Sequence, residues 1–282
     1  MPWQTTRFLI PLHRPLVMGI VNATPDSFSD GGLHGDADAA RRHCDRLLQD
    51  GADILDIGGE STRPGARQPD CAEELARVLP VLRHAVTLGL PVSVDTSRPE
   101  VMQAALDLGV DIINDVRALS RPKALARVAA HPSCGICLMH MQGEPGTMQQ
   151  APAYTGDGVD EVTAWLRQRL ADVQAAGVAL ARITLDPGIG FGKTLMHNWA
   201  LMQRQEELLA LGQPLMVGWS RKSTLGVLTG RPVQERMAAS VAAALASAQR
   251  GARILRVHDV AATVDALKVW QMAGLLDGQA GV

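Results

Sequence analysis

The chain has 282 residues, 46% hydrophobic and 20% charged, with a formal net charge of -2; these values describe a globular protein with core enough for one large domain. A charge so close to neutrality excludes any general attraction to nucleic acid or an anionic membrane, and no apolar run approaches the roughly 18 residues of a membrane span. The start, MPWQTTRFLIPLHRP, is broken by Pro11, His13, Arg14 and Pro15 and does not read as a signal peptide, so a cytoplasmic protein is expected.

Thr6 to Leu16 holds two apolar pieces split by Pro11-Leu12-His13 and reads as a small N-terminal hairpin within residues 1–15, a plug for the fold that follows. Leu16 to Val21 is apolar almost throughout, as in a parallel strand covered on both faces. At Asn22 the run breaks into a loop to Gly32 in which Pro25 and the Gly31-Gly32 pair forbid regular structure, while Asn22, Thr24, Asp26, Ser27, Ser29 and Asp30 offer oxygens. A helix capped by Asp36 is expected over Ala37 to Gln49, then the strand Ile54 to Ile57 and the loop GGESTRPGAR. A helix from Cys71 to Leu88 leads to the strand Val92 to Val94, which ends at Asp95.

The alternation continues. A helix from Pro99 precedes a strand over Val110 to Ile113 that ends in Asn114-Asp115; a short helix over Lys123 to Ala130 precedes Ile136 to Met139, which ends at His140. After a long loop come a helix over Gly158 to Ala176, the strand Ile183 to Leu185 ending in Asp186, one helix over Asn198 to Leu211, and Leu215 to Val217 ending in GWSRKS. A helix over Pro232 to Gln249, the strand Arg253 to Val257 ending at His258, and a helix over Val260 to Met272 complete the chain. About eight strand-helix units in about 250 residues predict a single-domain (β/α)8 TIM barrel. The open doubly wound alternative would need a GxGxxG turn after the first strand, and GIVNATP is not one.

In such a barrel the residues at the C-terminal strand ends converge on one mouth. Here they are Asn22, Gly59 to Arg63, Asp95, Asn114, His140, Asp186, Lys222 and His258. Asp95, Asn114, Asp186 and Lys222 suit a flat nitrogen heterocycle with donors and acceptors on its edge. Arg63, Arg256 and His258, with the Ser61 and Thr62 hydroxyls, suit an anion of two or more phosphates. Asn22, with Asp26 and Asp30, has the oxygens for Mg2+, which takes few protein ligands and keeps waters and phosphate oxygens. Taken singly, each of these residues reads equally well as a surface salt-bridge partner. Cys134 and Cys137 form a CxxC on a strand, where they point to opposite faces with no second pair nearby, and are expected to be core cysteines. GIGFGKT misses the phosphate-loop spacing by one residue, because Pro187 stands where its first glycine belongs.

The segments MGIVNATPDSFSDGG, DIGGESTRPGA, VSVDTS, IINDV, LMHMQGEPGTMQ, LDPGIGFGKT, GWSRKSTLG and RVHDV together resemble the dihydropteroate synthase family, in family order from about Val17 to Val260. The resemblance implies an Mg2+-dependent transferase of folate biosynthesis that joins 6-hydroxymethyl-7,8-dihydropterin diphosphate to p-aminobenzoate, a target of sulfonamides and a homodimer. It implies a pterin site of Asp95, Asn114, Met139, Asp186, Phe191, Gly218 and Lys222, and a diphosphate and metal site of Asn22, Thr62, Arg63, Arg256 and His258. It puts p-aminobenzoate against Phe28, Pro64, Lys222 and Ser223, near the N-terminus of a helix beginning around Ser223, and gives Asp95, Asp186, Lys222 and Arg63 the catalytic roles. Ala23 stands where valine is usual, Trp219 where leucine is usual, and the intact STRPGA run differs from the plasmid-borne, sulfonamide-resistant type. A pterin-dependent methyltransferase would share the barrel and pocket without the arginine-histidine clamp; a catalytically dead barrel would lose Arg63 or the first-loop aspartates.

Overall fold

The structure, a computed structural model, describes residues 2–24, 32–60, 67–144, 146–150 and 152–276. Trp3–Gln4 (β1) and Leu9–Ile10 (β2) form a two-stranded antiparallel sheet. Eight further strands close into a parallel barrel: Leu16–Asn22 (β3), Ile54–Gly58 (β4), Val92–Asp95 (β5), Ile112–Asp115 (β6), Gly135–Met139 (β7), Ile183–Asp186 (β8), Leu215–Val217 (β9) and Ala252–Val257 (β10). Neighbours in the barrel follow chain order, and β10 closes it against β3 with Arg256 opposite Met18. Around it lie Gly32–Gln49 (α1), Cys71–Ala85 (α2), Pro99–Asp107 (α3), Ala124–Ala130 (α4), Gly158–Ala175 (α5), Leu195–Gln203 (α6), Gln205–Leu209 (α7), Ser223–Thr229 (α8), Met237–Gln249 (α9) and Val260–Met272 (α10).

Because side chains alternate faces along a strand, each barrel strand feeds two cores. Outward residues such as Val17, Val21, Leu55, Ile57 and Val94 pack under the helices. Inward Leu16, Met18, Ile54, Ile112, Cys137, Met216 and Ile254 fill the lower lumen, where Trp3 and Ile10 of the hairpin join them. The Trp3 indole Nε1 donates to Arg182 O at 2.9 Å. The expected plug is therefore present, but its arms differ. Thr5 N and Oγ1 both donate to Phe8 O, at 2.9 and 3.0 Å, so the chain turns before Pro11, and Leu16 already belongs to the barrel.

Four of the expected helices also depart from their sequence boundaries. α1 begins at Gly32 and runs through Asp36; the glycine inside LHGD costs only about 1 kcal/mol relative to alanine and does not break the helix. α2 ends at Ala85, not Leu88, and begins with a capping box between Asp70 and Glu73. The helix expected over 198–211 starts at Leu195 and breaks at Arg204, whose φ of -111° and ψ of 21° leave helical space. The Arg204 guanidinium is drawn to Asp157, Asp160 and Glu207 at 2.7, 3.0 and 2.7 Å. The helix expected from Pro232 starts at Met237, after a 3-10 turn over Val233–Glu235. Cys134 and Cys137 are free and buried: Cys137 in the lumen and Cys134 in the outer core, as their spacing requires.

Candidate active site

The C-terminal ends of the barrel strands surround one cavity of about 400 Å³. Asn22, Asp95, Asn114, Met139, Asp186, Phe191, Gly218, Lys222, Arg256 and His258 all line it, so ten residues expected from the sequence meet at one place. Ile20, Val116, Ile189 and Met216 add apolar walls, the composition of a site that sandwiches a flat ring while polar groups read its edge.

Its floor is a network centred on Arg256. The guanidinium donates from Nε to Asp56 Oδ2 at 2.6 Å and from NH2 to Asp95 Oδ2 at 2.8 Å. Asp56 Oδ2 also accepts from Asn114 Nδ2 at 3.2 Å. Burial raises the Asp95 carboxyl well above the ordinary carboxylate value; Arg256 opposes this, while Asp56 and Glu60 add to it. Burial likewise raises Asp186, against the Gly188 amide that donates to its Oδ1 at 2.7 Å and against Lys222. Lys222 is pushed down to about 8, by burial first and then by Arg256, with Asp186 and Asp95 pulling the other way. Its ammonium stands 4.2 Å from the centre of the Phe191 ring, a cation-π distance.

Lys222 is aimed by the turn that carries it. Arg221 adopts φ 59° and is held there by its amide on Ser240 Oγ at 2.9 Å and its guanidinium on Asp259 at 2.6 Å. α8 then begins at Ser223, where the resemblance expected a helix; Ser223 itself is exposed. Beside the turn, His258 Nδ1 lies 2.9 Å from Ser220 Oγ. Burial, then Arg256 and Arg221, pushes His258 down to about 3, so its imidazole is neutral at physiological pH.

The loop after β8 lies directly on the end of β7. A Cβ at Gly188 (φ 70°) would come within 1.9 Å of His140 O, and one at Gly192 (φ 63°) within 2.2 Å of Gln142 O, so both positions demand glycine. Lys193 closes the loop: its ammonium reaches His140 Nδ1 at 2.8 Å, Phe191 O at 3.1 Å and His140 O at 3.4 Å. The glycines of GIGFGKT thus serve close packing, as the failed phosphate-loop spacing allows. His140 is a correction to the expected mouth set. The residue is 5% exposed and its ring stands edge-on to Trp165 at 5.0 Å, beneath the loop and not on the cavity wall.

Other expectations fare differently. Asp26, Phe28, Asp30, Ser61, Thr62, Arg63 and Pro64 lie outside the described residues. Arg256, expected in a phosphate clamp, has two of its nitrogens committed to carboxylates of the floor. Trp219 fits where leucine is usual because Trp199 stacks on it, ring centres 5.2 Å apart. Sequence reasoning passed over Asp56, and gave Glu60, inside the Gly59 to Arg63 stretch it placed at the mouth, no role of its own. Asp56 is fully buried, and its signal was a carboxylate in the middle of an apolar strand, which has no reason to exist without partners. Glu60 lines the cavity with its Oε1 3.5 Å from Arg117 NH2.

A model of the family described as pterin binding enzyme matches residues 18–258. The dihydropteroate synthase of Neisseria meningitidis serogroup B is 56% identical over 279 residues, 97% of this chain and 98% of that protein. The Xanthomonas albilineans dihydropteroate synthase solved with 4-aminobenzoic acid has a TM-score of 0.91 at 49% identity, covering 97% of this chain and 99% of that one. Its complex with 7,8-dihydropteroate has a TM-score of 0.86 at the same identity, covering 94% and 95%. The Yersinia pestis enzyme in complex with a sulfonamide drug has a TM-score of 0.91 at 44% identity, covering 97% and 99%. The pocket for a flat heterocycle and the relatives over nearly the whole length agree: the chain belongs to the pterin-binding enzymes and, among them, to the dihydropteroate synthases.

Proposed function

We infer that this chain catalyses the condensation of 6-hydroxymethyl-7,8-dihydropterin diphosphate with p-aminobenzoate to give 7,8-dihydropteroate and pyrophosphate, a step of folate biosynthesis. The observation that carries the reading is the convergence of Asp95, Asn114, Asp186 and Lys222 on one cavity with apolar walls. A pterin edge offers an exocyclic amine and ring N–H groups beside a carbonyl oxygen. Two carboxylates and an amide accept from the former and an ammonium donates to the latter. Met139 and Phe191 cover the faces, and Gly218 leaves room at the wall.

Loss of diphosphate puts negative charge on the leaving oxygens and positive charge on the dihydropterin methylene. The carboxylates of Asp95 and Asp186 favour the second charge, while Arg256, with Arg63, Thr62, Asn22 and the neutral imidazole of His258, favours the first. The aromatic amine then attacks the methylene carbon and releases a proton. None of the described residues need form a covalent intermediate. Asn22 lines the cavity, and its amide oxygen suits Mg2+, as do the carboxylates of Asp26 and Asp30. Mg2+ takes few protein ligands and keeps waters and substrate phosphate oxygens. When bound, that ion would supply charge neutralisation at the diphosphate.

p-Aminobenzoate would stand outside the pterin, against Phe28, Pro64, Lys222 and Ser223, and a sulfonamide in the same place. No helix of the described residues is long and apolar enough to cross a membrane; a cytoplasmic enzyme and a homodimer complete the proposal. Exposed Val227, Leu228, Val233 and Met237, close together in sequence on and after α8, give a second copy apolar surface. Incubating the purified chain with both substrates and Mg2+ should release pyrophosphate and dihydropteroate in equal amounts. Pyrophosphate without dihydropteroate, or neither product, would refute the assignment.

A further inference from the structure

Asp56 lies beneath the site and does not line the cavity. Its side chain has no solvent exposure, and β4 sets it opposite Ile20 on one side and Ser93 on the other, below the level at which Gly58 faces Asp95. One of its oxygens, Oδ2, receives both Arg256 Nε at 2.6 Å and Asn114 Nδ2 at 3.2 Å.

That shared oxygen decides what two cavity-lining groups can do. An amide has one donating end and one accepting end, and which end faces a ligand follows from its neighbours. With the Asn114 NH2 turned to a group that accepts, its Oδ1 is left for the cavity that Asn114 lines. The guanidinium is planar. Its Nε fixed on Asp56 and its NH2 on Asp95 leave one orientation of the plane, with NH1 outside both pairs. We propose that Asp56 is a positioning residue for the pterin ring: by accepting from both groups on one oxygen, it makes Asn114 an acceptor and fixes the plane of Arg256. The pocket consequently prefers a heterocycle edge rich in N–H donors.

The proposal rests on the pterin reading and can fail separately from it. Asp56→Leu removes the acceptor at similar volume; Asp56→Asn keeps an oxygen able to accept from both donors and removes only the charge. Calorimetry with 6-hydroxymethylpterin, and with 6-hydroxymethyllumazine, which carries a carbonyl where the pterin carries its amine, separates the possibilities. Wild type should prefer the pterin. Asp56→Leu should bind it about 30-fold more weakly, the scale of a hydrogen bond to a charged group, and should lose about tenfold of the preference over the lumazine. Asp56→Asn should remain within about fivefold of wild type in both. If Asp56→Leu does not fold, Asp56→Ala is held to the same criterion. Unchanged pterin affinity in the folded Leu variant would overturn the proposal. So would weaker binding with the preference intact, which is what general loosening gives. So would an Asn variant as impaired as Leu, which would make charge and not placement the cause. A wild type that binds neither compound would instead sink the pterin reading itself.

Discussion

The two ends of the barrel lumen are built by the same eight strands and differ in almost everything else. On three of them the inward side chain changes character within two residues: Ile54 to Asp56, Ile112 to Asn114 and Ile254 to Arg256. Below, a sealed apolar layer packs against Trp3 and Ile10; above, carboxylates share a guanidinium around an open cavity. The lower layer gains from apolar burial. The upper layer carries desolvated charge that a well-packed apolar core would not need. The fold is thus held from one end and its chemistry performed at the other, and substitutions at the two ends should have opposite signatures.

The largest expected effect is at the upper end. Lys222→Ala should lower kcat/KM for pyrophosphate release by about a thousandfold, roughly 4 kcal/mol of transition-state stabilisation. It should leave the melting temperature unchanged or slightly higher, because an ammonium disfavoured by burial is removed. Near-normal kcat/KM in the folded variant would break the assignment of the β9 loop to the site.

At the lower end the signature reverses. Ile112→Ala opens a cavity in the sealed layer and should cost about 3 kcal/mol in denaturant unfolding, with kcat/KM within about twofold of wild type well below the melting temperature. A large loss of activity in the stable state would mean that the two ends are mechanically coupled.

The upper end was legible in the sequence because a buried parallel strand leaves a plain mark. Its largely apolar run stops where the mouth begins, and the polar residue at that end is a site residue, as at Asn22, Asp95, Asn114 and Asp186. The reading failed where that rule did not apply. His140 follows the fifth strand end in the same way, yet its ring is turned under a loop by Lys193, a contact across 53 residues. Asp56 and Arg256 lie inside their strands, 200 residues apart, so neither chain-local spacing nor periodicity could pair them. Arg204 sits in a stretch with continuous helical pattern, and two of its three carboxylate partners, Asp157 and Asp160 at the start of α5, are more than 40 residues away, beyond the reach of local pattern. The hairpin was misplaced because Pro11-Leu12-His13 looked like the turn, while Thr5 makes it with Phe8.

Acidity offers a way to sharpen the comparison without substitution. Lys222 loses its proton at about 8 in the fold, and as a neutral amine it is a weaker donor to a carbonyl. The kcat/KM should fall up to tenfold per unit, about 1.4 kcal/mol, as pH rises above 8. Stability moves the other way. The folded value lies below that of the unfolded chain, about 10.4, so between pH 8 and 10 the unfolded chain binds the extra proton and this group's contribution to stability rises with pH. Lys193, pushed down to about 7 by burial, acts in the same direction. Activity should therefore disappear from a protein whose melting temperature is not falling for these groups' sake. A flat kcat/KM profile from pH 7 to 10 would show that the charge on Lys222 is not needed.

The smallest effect lies on the boundary between the two layers. Ser93 is fully buried, and among the described residues its hydroxyl has no hydrogen-bond partner; the same is true of Asp56 Oδ1, which the strand register places on the adjacent position. An unpaired hydroxyl and an unpaired carboxylate oxygen would each cost about 1–3 kcal/mol, and most buried polar groups in folded proteins are satisfied by the protein or by ordered water. If a water bridges them, Ser93→Ala removes one of its bonds and should lower stability by about 1 kcal/mol, a fall of about 2–4 °C in melting temperature. Pterin affinity should change less than about twofold, because Asp56 keeps Oδ2 on Arg256 and Asn114. If the hydroxyl is truly unpaired, deleting it relieves a buried polar group and the melting temperature should rise. The sign of that small shift tells whether the boundary layer is wet.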